Sequence, residues 1–183
     1  MGLAIVHDYL VSSGGAELVV LEMARAFPGA PVHTSTYAPC STFAEFAALD
    51  VRPSVLARLV PASRFRLAAP VFGPAFAAMR LDGYERVLVS SSGFAHHVRH
   101  PEASVYCHTP PRFLYDTATY LDRRPGMARA LSAPLRLARR SDRRAAARHR
   151  RYAAYSTTTQ QRIREVYGKD APVADNDTEE GRR

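Results

Sequence analysis

A chain of 183 residues is long enough to bury a core of its own and short enough to be one ordinary domain. Its hydrophobic fraction of 46% argues against global disorder, and no apolar run approaches the ~18 residues of a membrane-spanning helix. The formal charge of +8 is unevenly spread: eleven arginines occupy the stretch from Arg123 to Arg151 against one acid, Asp142, while Asp175, Asp177, Glu179 and Glu180 reverse the sign in the tail.

The amino terminus enters an apolar strand, Leu3-Ala4-Ile5-Val6, with no basic segment ahead of it, so it does not read as a secretory signal. It delivers His7-Asp8-Tyr9-Leu10 and then Gly14-Gly15 to the start of a helix running from Glu17 to Phe27, whose polar residues Glu17, Glu22 and Arg25 share one arc. Pro28-Gly29 stops that helix, and the stretch from Pro31 to Tyr37 reads as a second strand. Ser41 or Thr42 is expected to cap a short helical turn through Phe46. The stretch from Val51 to Val55 reads as an edge strand because of Pro53. From Ser63 to Met79 the pattern is helical but interrupted by Pro70, Gly73 and Pro74.

After the Asp82-Gly83 turn, the stretch from Arg86 to Ser90 is an apolar strand of the buried type, emptying into Ser91-Ser92-Gly93-Phe94-Ala95-His96-His97. The stretch from Ser104 to Cys107 is the next strand and delivers His108-Thr109-Pro110-Pro111-Arg112. A basic helix is expected from near Pro134 to Arg151, then a strand from Tyr152 to Ser156. A last helix capped by Thr157 or Thr158 ends at Gly168, a residue suited to the C′ position. Residues 1–173 thus form one α/β domain, a mostly parallel sheet with helices on both faces. The polar tail 174–183 is expected to be disordered.

Parallel strands present their carboxyl ends on one edge, so His7-Asp8, residues 90–97 and residues 108–112 are expected to converge. Two adjacent glycines at a helix start let a backbone approach an anion, although any tight loop uses the same residues. Imidazoles, hydroxyls, a carboxylate and Arg112 together suit a hydroxyl-rich, phosphate-bearing ligand. The dinucleotide spacing, a P-loop and a G-x-S-x-G elbow are all absent. His96, His97, His100 and His108 lack an H-E-x-x-H or cysteine-rich companion, so no metal site is expected. Cys40 and Cys107 lie far apart and suit ordinary thiols in a reducing compartment.

The segments His7-Asp8-Tyr9-Leu10, Gly14-Gly15-Ala16-Glu17, Pro31 to Tyr37, Ser90 to His96 and Cys107-His108-Thr109-Pro110-Pro111-Arg112-Phe113-Leu114-Tyr115-Asp116 closely resemble the amino-terminal domain of family 4 glycosyltransferases. The resemblance runs in order from residue 1 to about Val173. It implies a Rossmann-like domain forming the N-terminal half of a GT-B architecture, in a retaining, metal-independent enzyme with no cofactor. The donor would be a nucleotide sugar such as GDP-mannose or a UDP-sugar. The acceptor would be a sugar or lipid-linked molecule, as in cell-envelope or polysaccharide biosynthesis.

By the same resemblance, Gly14 and Gly15 would sit under the donor's diphosphate and sugar. His108 would contact the transferred sugar near the reacting carbon. Asp8, Tyr9, His96 and Arg112 would line the acceptor side or hold the loops that do. The resemblance fails at Ala174, before the family's donor-binding domain. The expectation is an acceptor-side half that needs a partner chain carrying that domain.

A non-catalytic acceptor-binding or membrane-binding module is the alternative. The expected location is cytoplasmic in either case, and the arginines from Arg123 to Arg151 would let the protein meet an anionic membrane on its inner face. Nucleic acid is not expected, since the basic segment carries little aromatic interleaving.

Overall fold

The computed structural model describes residues 2–59, 69–116 and 125–174. Apolar runs bounded by turns become six short strands: β1 (Leu3–His7), β2 (Val32–Thr34), β3 (Val51–Pro53), β4 (Arg86–Ser91), β5 (Ala103–Cys107) and β6 (Arg151–Ala154). Every pairing is parallel, in the order β3-β2-β1-β4-β5-β6. The chain builds one half-sheet outward from β1, then returns and builds the other outward from β4. This is an α/β, Rossmann-like arrangement whose strand order reverses between β1 and β4, and such folds hold ligands outside the carboxyl ends at that point. The described helices are α1 (Gly15–Ala26), α2 (Leu56–Leu59), α3 (Ala69–Ala77), α4 (Arg112–Tyr115), α5 (Pro125–Arg148) and α6 (Thr157–Tyr167).

Successive side chains leave a strand on opposite faces, and the registers sort the core accordingly. Val6, Val89, Val105 and Tyr152 are cross-strand neighbours in one row. They pack with Phe72 and Phe76 of α3, Ala146 of α5 and Ile163 of α6. Ile5 and Val32 point the other way, onto Val20, Leu21 and Ala24 of α1 and onto Phe46. Helices therefore cover both faces. Each fully buried Val, Ile or Phe contributes about 1.5–3 kcal/mol of transfer free energy.

Several boundaries differ from the sequence expectation for local reasons. Helix α1 begins at Gly15 rather than Glu17, because Gly14 is its N-cap and Glu17, in the first turn, bonds back to it. The second strand is laddered only over Val32–Thr34, and Tyr37 meets Leu10 in an isolated bridge. Neither Ser41 nor Thr42 caps the turn at Ala44–Ala48; Phe43 precedes it with no side-chain bond.

Helix α5 starts at Pro125 and runs through Pro134. A proline is well placed in the first turn, whereas Pro134 removes one internal hydrogen bond that packing elsewhere must offset. Ser156, not Thr157 or Thr158, caps α6, its Oγ accepting the Thr159 N–H at 3.2 Å. Gly168 closes that helix at φ 64°, a left-handed value suited to glycine. Pro53 does lie in the edge strand, where a missing N–H is tolerated. The expected helical residues 63–68, the basic residues Arg123 and Arg124, and the tail from residue 175 fall outside the described residues.

Candidate functional site

The carboxyl end of β4 carries two consecutive serines, and strand alternation sends them to opposite faces of the sheet. Ser90 lies in the row of His7 and Tyr106 and joins a hydrogen-bonded chain on the α1 side. His7 Nδ1 is 3.2 Å from the Ser90 carbonyl oxygen and 3.1 Å from Ser90 Oγ. A carbonyl only accepts, so His7 carries its proton on Nδ1 and donates. Ser90 Oγ, 2.8 Å from His108 Nε2, then donates its hydroxyl proton onward. His108 is thereby held as the tautomer with its proton on Nδ1. Burial lowers both imidazoles, and the adjacent His7 pushes His108 further, to about 4, with Asp8 only partly offsetting. At neutral pH the chain contains two uncharged rings joined by one hydroxyl.

Asp8, one residue beyond β1, is buried with 2% exposure. Its Oδ1 accepts the Phe94 and Ala95 N–H groups, each at 2.6 Å. Its Oδ2 accepts the Ser92 N–H at 2.6 Å and the Ser92 hydroxyl at 3.3 Å. A Cβ on Gly93 would stand 3.3 Å from Asp8 Oδ1, so the glycine lets the loop wrap closely around the carboxylate. Of the two roles anticipated for Asp8, this geometry is loop-holding: one side chain bolts the end of β1 to the loop after β4, across the point where the strand order reverses.

The two glycines also part company. Glu17 Oε2 accepts the Gly14 N–H at 3.2 Å, and its Oε1 accepts the Ser12 hydroxyl at 2.7 Å. A Cβ on Gly14 would meet Glu17 Oε2 at 2.8 Å, whereas one on Gly15 would meet nothing within 4 Å. The helix start thus has its own carboxylate over Gly14 and open space at Gly15. Glu17 is close enough to His7 to pull that imidazole upward against burial, which ties the glycine turn to the His7–Ser90–His108 chain.

Tyr9 is half-buried, with its ring centroid 6.4 Å from that of His7. The other anticipated residues stand apart. Arg112 is exposed, 3.5 Å from Asp116, and lines a separate cavity of about 280 Å³ with Thr109, Arg162 and Glu165. His96 lies at 2% exposure on the opposite face, where Ser91 Oγ is 3.2 Å from its Nδ1 and Asp142 Oδ1 is 3.0 Å from its Nε2. The sequence reading missed Asp142. Its signal was present, a lone acid in an arginine-rich helix, and the structure buries it to 1% exposure.

The family models, the curated proteins and the solved structures compared with this chain include no match to it.

Proposed function

We propose that this chain is the acceptor-side, N-terminal half of a retaining, nucleotide-sugar-dependent glycosyltransferase of family 4. The observation that carries the reading is the neutral His108. Ser90 holds it at the carboxyl edge of β5, beside the reversal of strand order, with its proton on Nδ1. An uncharged imidazole presenting an N–H suits a sugar hydroxyl near a reacting carbon. It adds no positive charge beside the oxocarbenium character that develops in glycosyl transfer.

Both nearby carboxylates, Asp8 and Glu17, spend their oxygens on backbone and serine donors. This wall therefore contributes positioning and hydrogen bonding rather than a free carboxylate nucleophile. The open backbone at Gly15 is the approach for the donor's phosphate and sugar. A second wall must hold the nucleotide and exclude water, since transfer depends on both substrates being fixed together.

The test supplies labelled GDP-mannose or UDP-sugars and free or lipid-linked sugar acceptors to the purified chain, with and without a donor-binding domain in trans. Product is expected only in the combined reaction, and His108→Ala should lower that rate by about 100-fold or more. Transfer by the chain alone removes the need for a second domain. An unaltered rate in His108→Ala removes the assigned role.

The outer surface of α5 favours a second reading, a module docking on anionic lipid. Arg136, Arg140, Arg143 and Arg144 face one shallow cavity of about 480 Å³, and Leu137 beside them is 70% exposed. Among the described residues no helix is long and apolar enough to cross a membrane, so contact through α5 would be peripheral. Arginines near an anionic surface contribute about 1 kcal/mol each. Sedimentation with phosphatidylserine vesicles should capture the chain and weaken as salt rises. Equal, salt-insensitive capture by neutral vesicles sinks this reading.

A further inference from the structure

Behind the rim, on the face opposite His108, three side chains from two elements converge. His96 and His97 come from the 3-10 turn at Ala95–His97, and Asp142 from the inner side of α5. Their exposures are 2%, 5% and 1%. Asp142 Oδ1 lies 3.0 Å from His96 Nε2 and 3.6 Å from His97 Nε2, and all three atoms lie within 4.8 Å of one another. We propose that these atoms are three protein ligands of a structural site for a borderline divalent transition metal of the Zn²⁺ class.

Four observations lead there. The first is spacing: tetrahedral zinc with bonds of about 2.0–2.2 Å separates neighbouring ligand atoms by about 3.3–3.6 Å, and the two distances from Asp142 Oδ1 lie at or within about 0.3 Å of that range. The second is alignment. His96 Nε2, His97 Nε2 and Asp142 Oδ1 are all buried, yet none has an aligned hydrogen-bond partner among the described residues. A 3.0 Å approach between an imidazole nitrogen and a carboxylate oxygen normally gives a good hydrogen bond. Here the contacts from Asp142 to the two rings are close in distance yet fall outside hydrogen-bond alignment. Buried polar atoms left in that state are destabilising, a penalty that a shared cation removes.

The third observation is the outer shell. Ser91 Oγ is 3.2 Å from His96 Nδ1, which fixes the ring and leaves Nε2 for the ion. Tyr115 and Tyr167 donate their hydroxyls to Asp142 Oδ2 at 2.8 and 2.9 Å, leaving Oδ1 for the ion. Ligating imidazoles and carboxylates are characteristically oriented in this way by partners on their other atoms. The fourth is the support of the turn itself. His149 Nε2 donates to the His96 carbonyl at 2.7 Å, and Arg148 Nη1 to that of His97 at 3.3 Å. Gly73 of α3 lies flat against the His97 ring, where a Cβ would stand 2.9 Å from Nδ1.

Two imidazoles and one carboxylate form a borderline donor set, suited to Zn²⁺ or Co²⁺ rather than Mg²⁺. The ion would brace the turn after β4 against α5, directly beneath the loop that Asp8 holds from the other side. It takes no part in sugar transfer, so the inference stands apart from the proposed function.

The experiment strips the full chain with a chelator under reducing conditions, then titrates it with Co²⁺ and afterwards Zn²⁺. Co²⁺ should develop the visible d–d absorption of a tetrahedral site at one equivalent per chain. Zn²⁺ should displace it and raise Tm by several degrees, while Mg²⁺ does neither. His97→Gln and Asp142→Asn should each weaken Zn²⁺ binding about 100-fold or more, and Ser91→Ala about 10-fold. His100→Gln, a histidine outside the cluster, should leave binding unchanged. Absence of saturable binding overturns the proposal, as does binding that survives both ligand substitutions. If Asp142→Asn does not fold, His97→Gln decides alone.

Discussion

Asp8→Ala should lower the stability of this chain by about 3–5 kcal/mol, because it strands three backbone donors at once, one of them in the buried Ala95. The Ser92, Phe94 and Ala95 N–H groups each meet the Asp8 carboxylate at 2.6 Å. A hydrogen bond to a charged acceptor contributes about 1.5–3 kcal/mol, and an abandoned buried donor costs about 1–3 kcal/mol. The full sum will not be realised, since part of the loop can reach water once released. Asp8→Asn should cost less, about 2–3 kcal/mol. Its carbonyl oxygen can keep the Phe94 and Ala95 amides, but its NH₂ then faces the Ser92 N–H, donor against donor. Ser92→Ala, which removes only the longer 3.3 Å contact, should change stability by about 0.5 kcal/mol or less. Denaturant unfolding of the three variants measures these values. Faster hydrogen exchange at the Phe94 and Ala95 amides would localise the damage. A loss below about 1 kcal/mol in Asp8→Ala would mean that the loop after β4 is held by something else.

The sheet was legible because its signal is local. Short apolar runs ending in His7, Ser90 and Cys107 are buried parallel strands, and period-two alternation assigns Ile5 and Val6 to opposite faces once the strands are placed. The same alternation implies that Ser90 and Ser91 diverge, yet it does not say which partners await them. The direction of the Asp8 oxygens was not legible, because it depends on how the loop through Gly93 folds back. Composition also could not show that Glu17, three residues on, occupies the helix start over Gly14. Asp142 and its histidines meet only through tertiary packing of α5 on the turn after β4. A helix marked by its run of arginines gave no reason to look for an inward-facing acid. Pro134 misplaced the start of that helix for a related reason. Proline's local penalty argued for a boundary, whereas buried Asp142, Ala145 and Ala146 on the same helix tie it to the core.

Acid should destabilise this fold through His108, and the sign follows from the direction of its shift. Burial, with His7 beside it, holds the folded imidazole at about 4, below its ordinary 6.5. Above about pH 7 the ring is neutral in both states and contributes no pH dependence. As pH falls through 6.5 the unfolded chain takes up a proton that the folded chain refuses, so stability declines until the folded ring also protonates near 4. At 1.36 kcal/mol for each tenfold difference in proton affinity, the full loss across that window is about 3 kcal/mol. His7, also lowered by burial, acts in the same direction. The structural reason is the hydroxyl between the rings: protonated His108 carries hydrogen on Nε2, and Ser90 Oγ can no longer donate to it. His108→Gln keeps polar atoms near Ser90 but cannot titrate. Its deficit relative to the parent at pH 7.5 should therefore shrink by about 2–3 kcal/mol by pH 4.5 in urea titrations. His149, also held near 4, titrates in both proteins and drops out of the difference. Parallel loss of stability in parent and variant across this window would show that another group responds. It would also remove the reason for treating His108 as an uncharged donor, on which its proposed role toward the sugar depends.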